Sequence, residues 1–204
     1  MQRKTFDTLL AAGGLVVTIV LLVAGGLLLW GHDFANSNVH SQLAEQQITF
    51  PSKALFANPP KGSTEITPAM KPYLYKYGGE RLLTGPQAKA YADHFIAVHL
   101  SEMPYKGVYS KVSAAAIANP KSAALQAEVQ TVFRGTTLRG LLLEAYAFWE
   151  IGYICLIASI CSFALAGVML ILSALGLWHL RRVNPAQELF HEYGAAGAAN
   201  PSIA

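Results

Sequence analysis

Charged residues and cysteines are scarce in this chain, and their scarcity excludes several classes of protein. Only 13% of the 204 residues are charged and 53% are hydrophobic, which is too apolar for an ordinary water-soluble domain of this size. The two cysteines, Cys155 and Cys161, both lie in one apolar run, so no disulfide framework holds the rest of the chain. The net charge is +3, but no Lys/Arg-rich stripe with interleaved aromatic residues occurs, which argues against a nucleic-acid partner.

Two long runs without a charged residue, Thr8–Trp30 and Ile151–Trp178, predict two transmembrane helices. About 20 apolar residues in a helix are enough to cross the core of a bilayer. We therefore expect an all-α membrane protein in which two transmembrane helices flank a small helical extracytoplasmic domain with a proline-rich loop. The expected segments are a cytoplasmic N-terminus (1–7), a first span (8–31), the extracytoplasmic domain (32–150), a second span (151–178) and a disordered cytoplasmic tail (179–204).

The flanks of the two runs predict the orientation. Basic residues stand at the ends of the chain, at Arg3, Lys4, Arg181 and Arg182, whereas the flanks facing the central segment hold only Arg139. Because Lys and Arg near spans favour the cytoplasmic side, we expect both termini in the cytoplasm. The first run exceeds an ordinary signal-peptide core and no small-x-small cleavage motif follows it, so we expect an uncleaved signal anchor in the cytoplasmic membrane.

Breakers and caps divide the central segment into short helices. The sequence predicts helices over the ranges 36–47, 84–103, 109–118, 121–134 and 138–149, and a loop from Phe50 to Thr84 with one short helix near 69–77. Thr84 and Gln87 have the spacing of a capping box, which predicts the helix start at Thr84.

The stretch ADHFIAVHL, residues 92–100, is the one place where the residues suggest chemistry. On an unbroken α-helix, His94 and His99 point about 140° apart, so they cannot bind one metal ion together. A helical zinc pair needs the i, i+4 spacing instead. We expect His99 to be a hydrogen-bonded core residue and His94 a surface residue. The alternative is a proton-linked switch at His99 or His94, or a site completed by a distant group such as His40.

Small residues recur at seven-residue intervals in the second run and predict a helix-packing seam. This seam consists of Gly152, Cys155, Ser159, Ser162, Ala166, Met169, Ser173 and Gly176, with a counterpart in the first run at Ala11, Gly14, Thr18 and Gly25. Small residues let helices approach closely in lipid, where no hydrophobic force drives them together. The two seams are expected to pack on each other, or to serve self-association or docking on a larger complex. No ionisable residue lies inside either run, which argues against transport.

Four blocks of the central segment resemble a known group of proteins: QLAEQQITFP, TGPQAKAYADHFIAVHL, YSKVSAAAIANP and QTVFRGTTLRGLLLEAYAFW. Together they are similar to a family of two-span integral membrane proteins from actinobacteria, over about Gln42–Trp149 and into the second span. The resemblance implies short cytoplasmic ends and an exported helical segment, and it implies no established activity. Relatives have been labelled ring-opening dioxygenases, but the two histidines of ADHFIAVHL do not form the iron site that this activity requires.

These observations favour a non-enzymatic integral membrane protein that mediates assembly or interaction at the outer face of the cytoplasmic membrane. No catalytic residue, cofactor or metal ligand is predicted, and the expected partners are the lipid bilayer and either further copies of the chain or a larger membrane complex. The alternative is an extracytoplasmic ligand-binding or sensing module that signals through a partner. The least favoured hypothesis is a metal-dependent enzyme that uses His94, His99 or His40.

Overall fold

The computed structural model describes residues 3–60 and 65–182. Its helices are α1 (Arg3–Glu45), α2 (Lys53–Ala57), α3 (Lys71–Leu74), α4 (Gly85–Tyr91), α5 (Ala97–Glu102), α6 (Tyr109–Ala118) and α7 (Ala123–Leu180). Within those two ranges no β-strand forms, and Thr49 and Arg81 make an isolated antiparallel bridge. The predicted fold class is confirmed: two long apolar helices flank a smaller helical region, as in an all-α membrane protein.

The chain divides into two compact units. The span unit comprises the described residues up to Leu29 and from Ile157 onward, and the central unit comprises the described residues between Trp30 and Leu156. In the span unit, large apolar side chains such as Leu10, Val20 and Ile160 are exposed by 60% or more. A bilayer solvates such a surface, whereas water does not. Both α1 and α7 contain stretches long and apolar enough to cross a membrane.

The central unit is built around a core of large apolar side chains. Its buried residues come from α1, α2, α3, α4, α5, α7 and the segments between them, and include Val39, Leu43, Phe50, Phe56, Met70, Leu74, Leu82 and Leu142. Met70, Leu74 and Leu82 have no measurable solvent exposure. Burial of this kind is the main favourable contribution to folding in water.

The long helices are more continuous than the sequence predicts. The helix expected over 36–47 is the last part of α1, and the helices expected over 121–134 and 138–149 are both parts of α7. An isolated glycine costs a helix only about 1 kcal/mol, which packing can offset. A β-carbon on Gly135 would lie 2.9 Å from the Leu100 side chain, so this glycine allows close packing and does not end the helix. The predicted spans lie inside α1 and α7, and their bounds stay predictions.

The start of α4 and the bounds of α6 are confirmed. Thr84 accepts a hydrogen bond from the Gln87 amide, and the Gln87 side chain accepts one from the Thr84 amide, which completes the capping box. In the proline-rich loop, the short helix expected near 69–77 corresponds to α3 and the 3₁₀ turn Tyr75–Tyr77, whereas α2, capped by Ser52, was not predicted. The tail was predicted to be disordered over 179–204, which was wrong for His179 and Leu180 because they form the end of α7. Residues 183–204 of the predicted tail lie outside the described ranges.

A left-handed turn connects α5 to α6. Tyr105, Lys106 and Gly107 have φ values of 56°, 55° and 63°. A β-carbon on Gly107 would also lie 2.4 Å from the Leu100 carbonyl oxygen, so only glycine fits this position without strain. The turn fixes the direction in which α6 leaves the core.

Candidate functional site

The predicted seam residues of α7 all lie on its buried or half-buried face. Within the span unit, Ser173 lies against Gly14 and Gly176 lies near Ala11. In the central unit, a β-carbon on Gly152 would lie 2.9 Å from that of Ala35. The α1 residues Ala11, Gly14, Thr18 and Gly25 are buried as well. The seam residues of α7 therefore pack against α1 of the same chain within each unit.

Two serines of the seam bind the other helix directly. Ser159 Oγ donates to the Gly25 carbonyl at 2.9 Å, and Ser162 Oγ donates to the Leu21 carbonyl at 2.7 Å. Ser173 is buried to 95% but its hydroxyl has no hydrogen-bond partner in the described part of the chain. Interhelical bonds of this type stabilise helix pairs in lipid by about 0.6 kcal/mol each. Ser159 and Ser162 thus add polar contacts to a closely packed helix pair.

The stretch ADHFI is a π-turn, so the expectation of an unbroken α-helix across ADHFIAVHL was wrong. Residues Ala92–Ile96 form a π-helical turn, and the Ala97 amide donates to the Ala92 carbonyl, five residues back. The buried apolar residues of this region, Ala88, Ala92, Ile96 and Leu100, recur every four residues. On an α-helix that spacing drifts by about 40° per step. The wider π-turn takes up the drift and keeps these side chains on the core. Such turns occur frequently at functional sites.

The π-turn gives the two histidines separate partners. His99 is half-buried, and its Nδ1 lies 2.7 Å from the Phe95 carbonyl, so Nδ1 carries the proton that this bond requires. His94 stacks flat on Tyr73, with ring centroids 3.5 Å apart and an interplanar angle of 1°. His94 is thus half-buried in a ring pair, where the sequence predicted a surface residue. Within the described ranges no three His, Cys, Asp or Glu side chains gather as a metal site, with or without His40.

Asp93 lies at the centre of an ion cluster between the π-turn and α7. One carboxylate oxygen accepts a hydrogen bond from Lys89 at 2.6 Å and the other accepts one from Arg139 at 2.8 Å. Burial raises the pKa of Asp93, but the hydrogen bonds from Lys89 and Arg139 outweigh it and hold the pKa below its ordinary value. The bond to Asp93 likewise raises the pKa of Lys89. Both shifts favour the charged forms of Asp93 and Lys89, and the bond from Arg139 ties the π-turn to α7.

A cleft of about 380 Å³ opens beside this cluster. We call it the aromatic cleft; its aromatic and basic lining residues are Tyr73, Lys76, Tyr77, Lys89, His94, Tyr146 and Trp149. Trp149 packs against the start of α4, because a β-carbon on Gly85 would lie 2.5 Å from its side chain. Tyr146 is hydrogen-bonded to Glu150, which raises the pKa of its hydroxyl. The cleft can therefore offer rings for stacking and cations for an anion.

Sequence reasoning identified His94 and missed most of the groups around it. Arg139 is 46 residues from Asp93, and nothing in the spacing of either residue indicates the pair. His32 was likewise not singled out, although its Nδ1 donates to the Gly152 carbonyl at 2.9 Å and joins α1 to α7 in the central unit. The four-residue spacing of the apolar residues Ala88, Ala92, Ile96 and Leu100 is a signal in the sequence that could have indicated the π-turn.

Comparison of the chain with protein-family models, with curated proteins and with solved structures gives no significant match. The resemblance of Gln42–Trp149 to actinobacterial two-span membrane proteins therefore stays a prediction, and the function must be argued from the geometry of the central unit.

Proposed function

We propose that this chain is a non-enzymatic integral membrane protein that holds an interaction domain at the outer face of the cytoplasmic membrane. Both termini would lie in the cytoplasm and residues 32–150 outside, in accord with the basic residues near Arg3 and Arg181. Two helices long and apolar enough to cross a membrane support the anchoring. The domain would bind a partner protein, since the seam residues are already used inside the chain.

A groove between α1 and α7 in the central unit carries this proposal. The α1–α7 groove has a volume of about 460 Å³, an apolar floor (Val39, Leu43, Leu138, Leu141, Leu142, Ala145 and Phe148) and a polar rim (Asn38, Gln42, Gln46 and Glu144). Leu141 is 58% exposed, and Phe148 is 37% exposed. An apolar floor with a polar rim between two helices suits the amphipathic helix of a partner. We propose such a helix as the occupant.

Photo-crosslinking in native membranes tests the groove. A photoreactive amino acid at Leu141 should give a discrete adduct, whereas the same residue at Ile117 should give none, because Ile117 is 77% exposed but lies outside the groove. An adduct of twice the 21.9 kDa chain mass would identify the partner as a second copy. Absence of an adduct at Leu141, or equal adducts at both positions, would contradict the proposal.

Cysteine labelling in intact cells tests the orientation. In a chain with Cys155 and Cys161 replaced by alanine, Ser101→Cys should react with a membrane-impermeant maleimide because residue 101 is exposed in the central unit. Thr5→Cys, also exposed, should react only after the cells are opened. The reverse pattern would place the central unit in the cytoplasm.

The aromatic cleft favours a second candidate function, that of a ligand-binding module. Its volume lies within the range of small-ligand pockets, about 300–1,000 Å³. Helix α7 runs without a break from Arg139 of the ion cluster into the apolar run. A ligand that altered the cluster would therefore act on a residue of the helix that leads into the membrane. A ligand-dependent shift of the unfolding temperature of the central unit would support this function.

A further inference from the structure

The aromatic cleft is lined by two lysines and by no acidic side chain of the described residues. The Lys76 ammonium lies 4.6 Å from the centroid of the Tyr77 ring, and it has no carboxylate partner in the described ranges. A ring face stabilises a cation without cancelling its charge. Lys76 therefore gives the cleft lining a positive charge that no carboxylate of the described ranges neutralises.

The second lysine of the cleft is only partly neutralised. Lys89 binds Asp93, but Asp93 divides its two oxygens between Lys89 and Arg139. Two cations thus share one carboxylate, and the Lys89 ammonium also lies 5.4 Å from the centroid of the Tyr146 ring. Glu150, on the same helix as Tyr146, is bound to that tyrosine. Lys76 and Lys89 are therefore the charged side chains that line the cleft, and both are positive.

An aromatic ladder leads from the cleft to the second apolar run. Tyr146 stacks on Trp149, with ring centroids 6.3 Å apart, and Trp149 stacks on Tyr153, with centroids 5.7 Å apart and an interplanar angle of 2°. The charge-free run begins at Ile151, so the ladder crosses its predicted start. Tyrosine and tryptophan are enriched at the level of lipid headgroups, where one end of the ring is wet and the other apolar. The ladder gives an amphipathic molecule a continuous path from charged groups to apolar surface.

We propose that the aromatic cleft binds the phosphate of an anionic phospholipid headgroup. Lys76 and Lys89 donate hydrogen bonds to the phosphate oxygens, the stacked His94 and Tyr73 form one wall, and the glycerol backbone lies along the aromatic ladder. A zwitterionic choline headgroup is disfavoured because its quaternary ammonium would face the two lysines. The inference rests on the proposed function in one respect, that the central unit stands at the membrane surface.

Lipid titration of the full-length protein tests this assignment. The protein in detergent micelles is titrated with phosphatidylglycerol or phosphatidylcholine of identical acyl chains, and native mass spectrometry counts the bound lipids. Phosphatidylglycerol should bind more tightly than phosphatidylcholine. Lys76→Met should lower the affinity for phosphatidylglycerol about fivefold, which is the usual contribution of one basic residue at an anionic surface. The control Lys111→Met makes the same charge change on α6, where the lysine is exposed and lies outside the cleft, and it should have no effect.

A second variant separates a lipid from a soluble phosphate. Tyr153 is 44% exposed at the far end of the ladder, where only a lipid would reach it. Tyr153→Leu should therefore weaken the binding of phosphatidylglycerol and leave the binding of glycerol phosphate unchanged. Equal binding of the two lipids, or equal effects of Lys76→Met and Lys111→Met, would overturn the proposal. The cleft would be assigned to a soluble phosphate if an equal concentration of glycerol phosphate displaced phosphatidylglycerol and Tyr153→Leu had no effect. That result would overturn the proposal that the ligand is a lipid. Each of these outcomes is independent of crosslinking at Leu141.

Discussion

The buried side chains of the span unit are small, whereas those of the central unit include many large apolar and aromatic ones. Ala166 and Ser159 are almost fully buried in the first, and Phe50 and Met70 in the second. Water expels large apolar groups into a core, but lipid does not. Helices in lipid gain instead from close approach and from hydrogen bonds such as that of Ser159 to Gly25. The two units thus bury different kinds of side chain.

Truncating a core side chain of the central unit should have the largest effect on stability. Leu74 has no exposed surface, so Leu74→Ala should lower the unfolding free energy of the central unit by about 2–5 kcal/mol. Its neighbour Tyr75 is 42% exposed, and Tyr75→Ala should cost about 1 kcal/mol or less. Hydrogen exchange of the full-length protein in detergent measures both. Equal losses would show that the central unit does not rely on a water-excluding core.

Enlarging a small residue should be the damaging change in the span unit. Ala166 is 1% exposed, and Ala166→Leu should destabilise the helix pair by about 1–3 kcal/mol because the added atoms do not fit. Val168→Leu is the control, since Val168 is 54% exposed on the other side of α7. Titration with a denaturing detergent gives the unfolding midpoint of each variant. If both variants kept the wild-type midpoint, close packing of α1 on α7 would be contradicted.

The ion cluster of Lys89, Asp93 and Arg139 should stop stabilising the fold at acid pH. The pKa of Asp93 is lower in the folded chain than in the unfolded chain. Its stabilisation is therefore present above the unfolded pKa of about 3.9 and is lost as pH falls through the folded pKa. The free energy of unfolding of wild type should exceed that of Asp93→Asn by about 0.5–1 kcal/mol near pH 6, and the two values should converge in acid. Chemical unfolding at several pH values measures this difference. In the double variant Lys89→Met, Arg139→Met the difference should vanish at every pH; a persisting difference would assign it to another contact.

Single hydroxyl groups should have the smallest effects, and two serines provide a matched pair. Ser159→Ala removes a bond to α1 and should cost about 0.6 kcal/mol. Ser173→Ala removes a buried hydroxyl without a partner and should be neutral or slightly stabilising. The denaturing-detergent midpoint resolves the difference between the variants. The reverse order would mean that Ser173 has a partner in the membrane that the chain itself does not supply.

Local and periodic features of the fold could be predicted from the sequence. The capping box at Thr84 needs only two residues three apart, and the seam through Ser159 needs only a seven-residue repeat. The continuity of α7 across Gly135 was missed because a contact with Leu100, distant in sequence, decides it. The aromatic cleft was missed for the same reason: Lys76 and Tyr146 meet only after folding. His94 was identified, but the π-turn and Tyr73 set its surroundings.

Native mass spectrometry of the full-length protein, released gently from its own membranes, shows whether the chain holds a protein partner. We expect a complex with a partner protein or a second copy, and this complex should be lost in Leu141→Glu, because the added carboxylate charges the floor of the α1–α7 groove. Ile117→Glu, outside the groove, should leave the complex intact. A wild-type chain found only at its monomer mass of 21.9 kDa would rule out the proposed interaction domain.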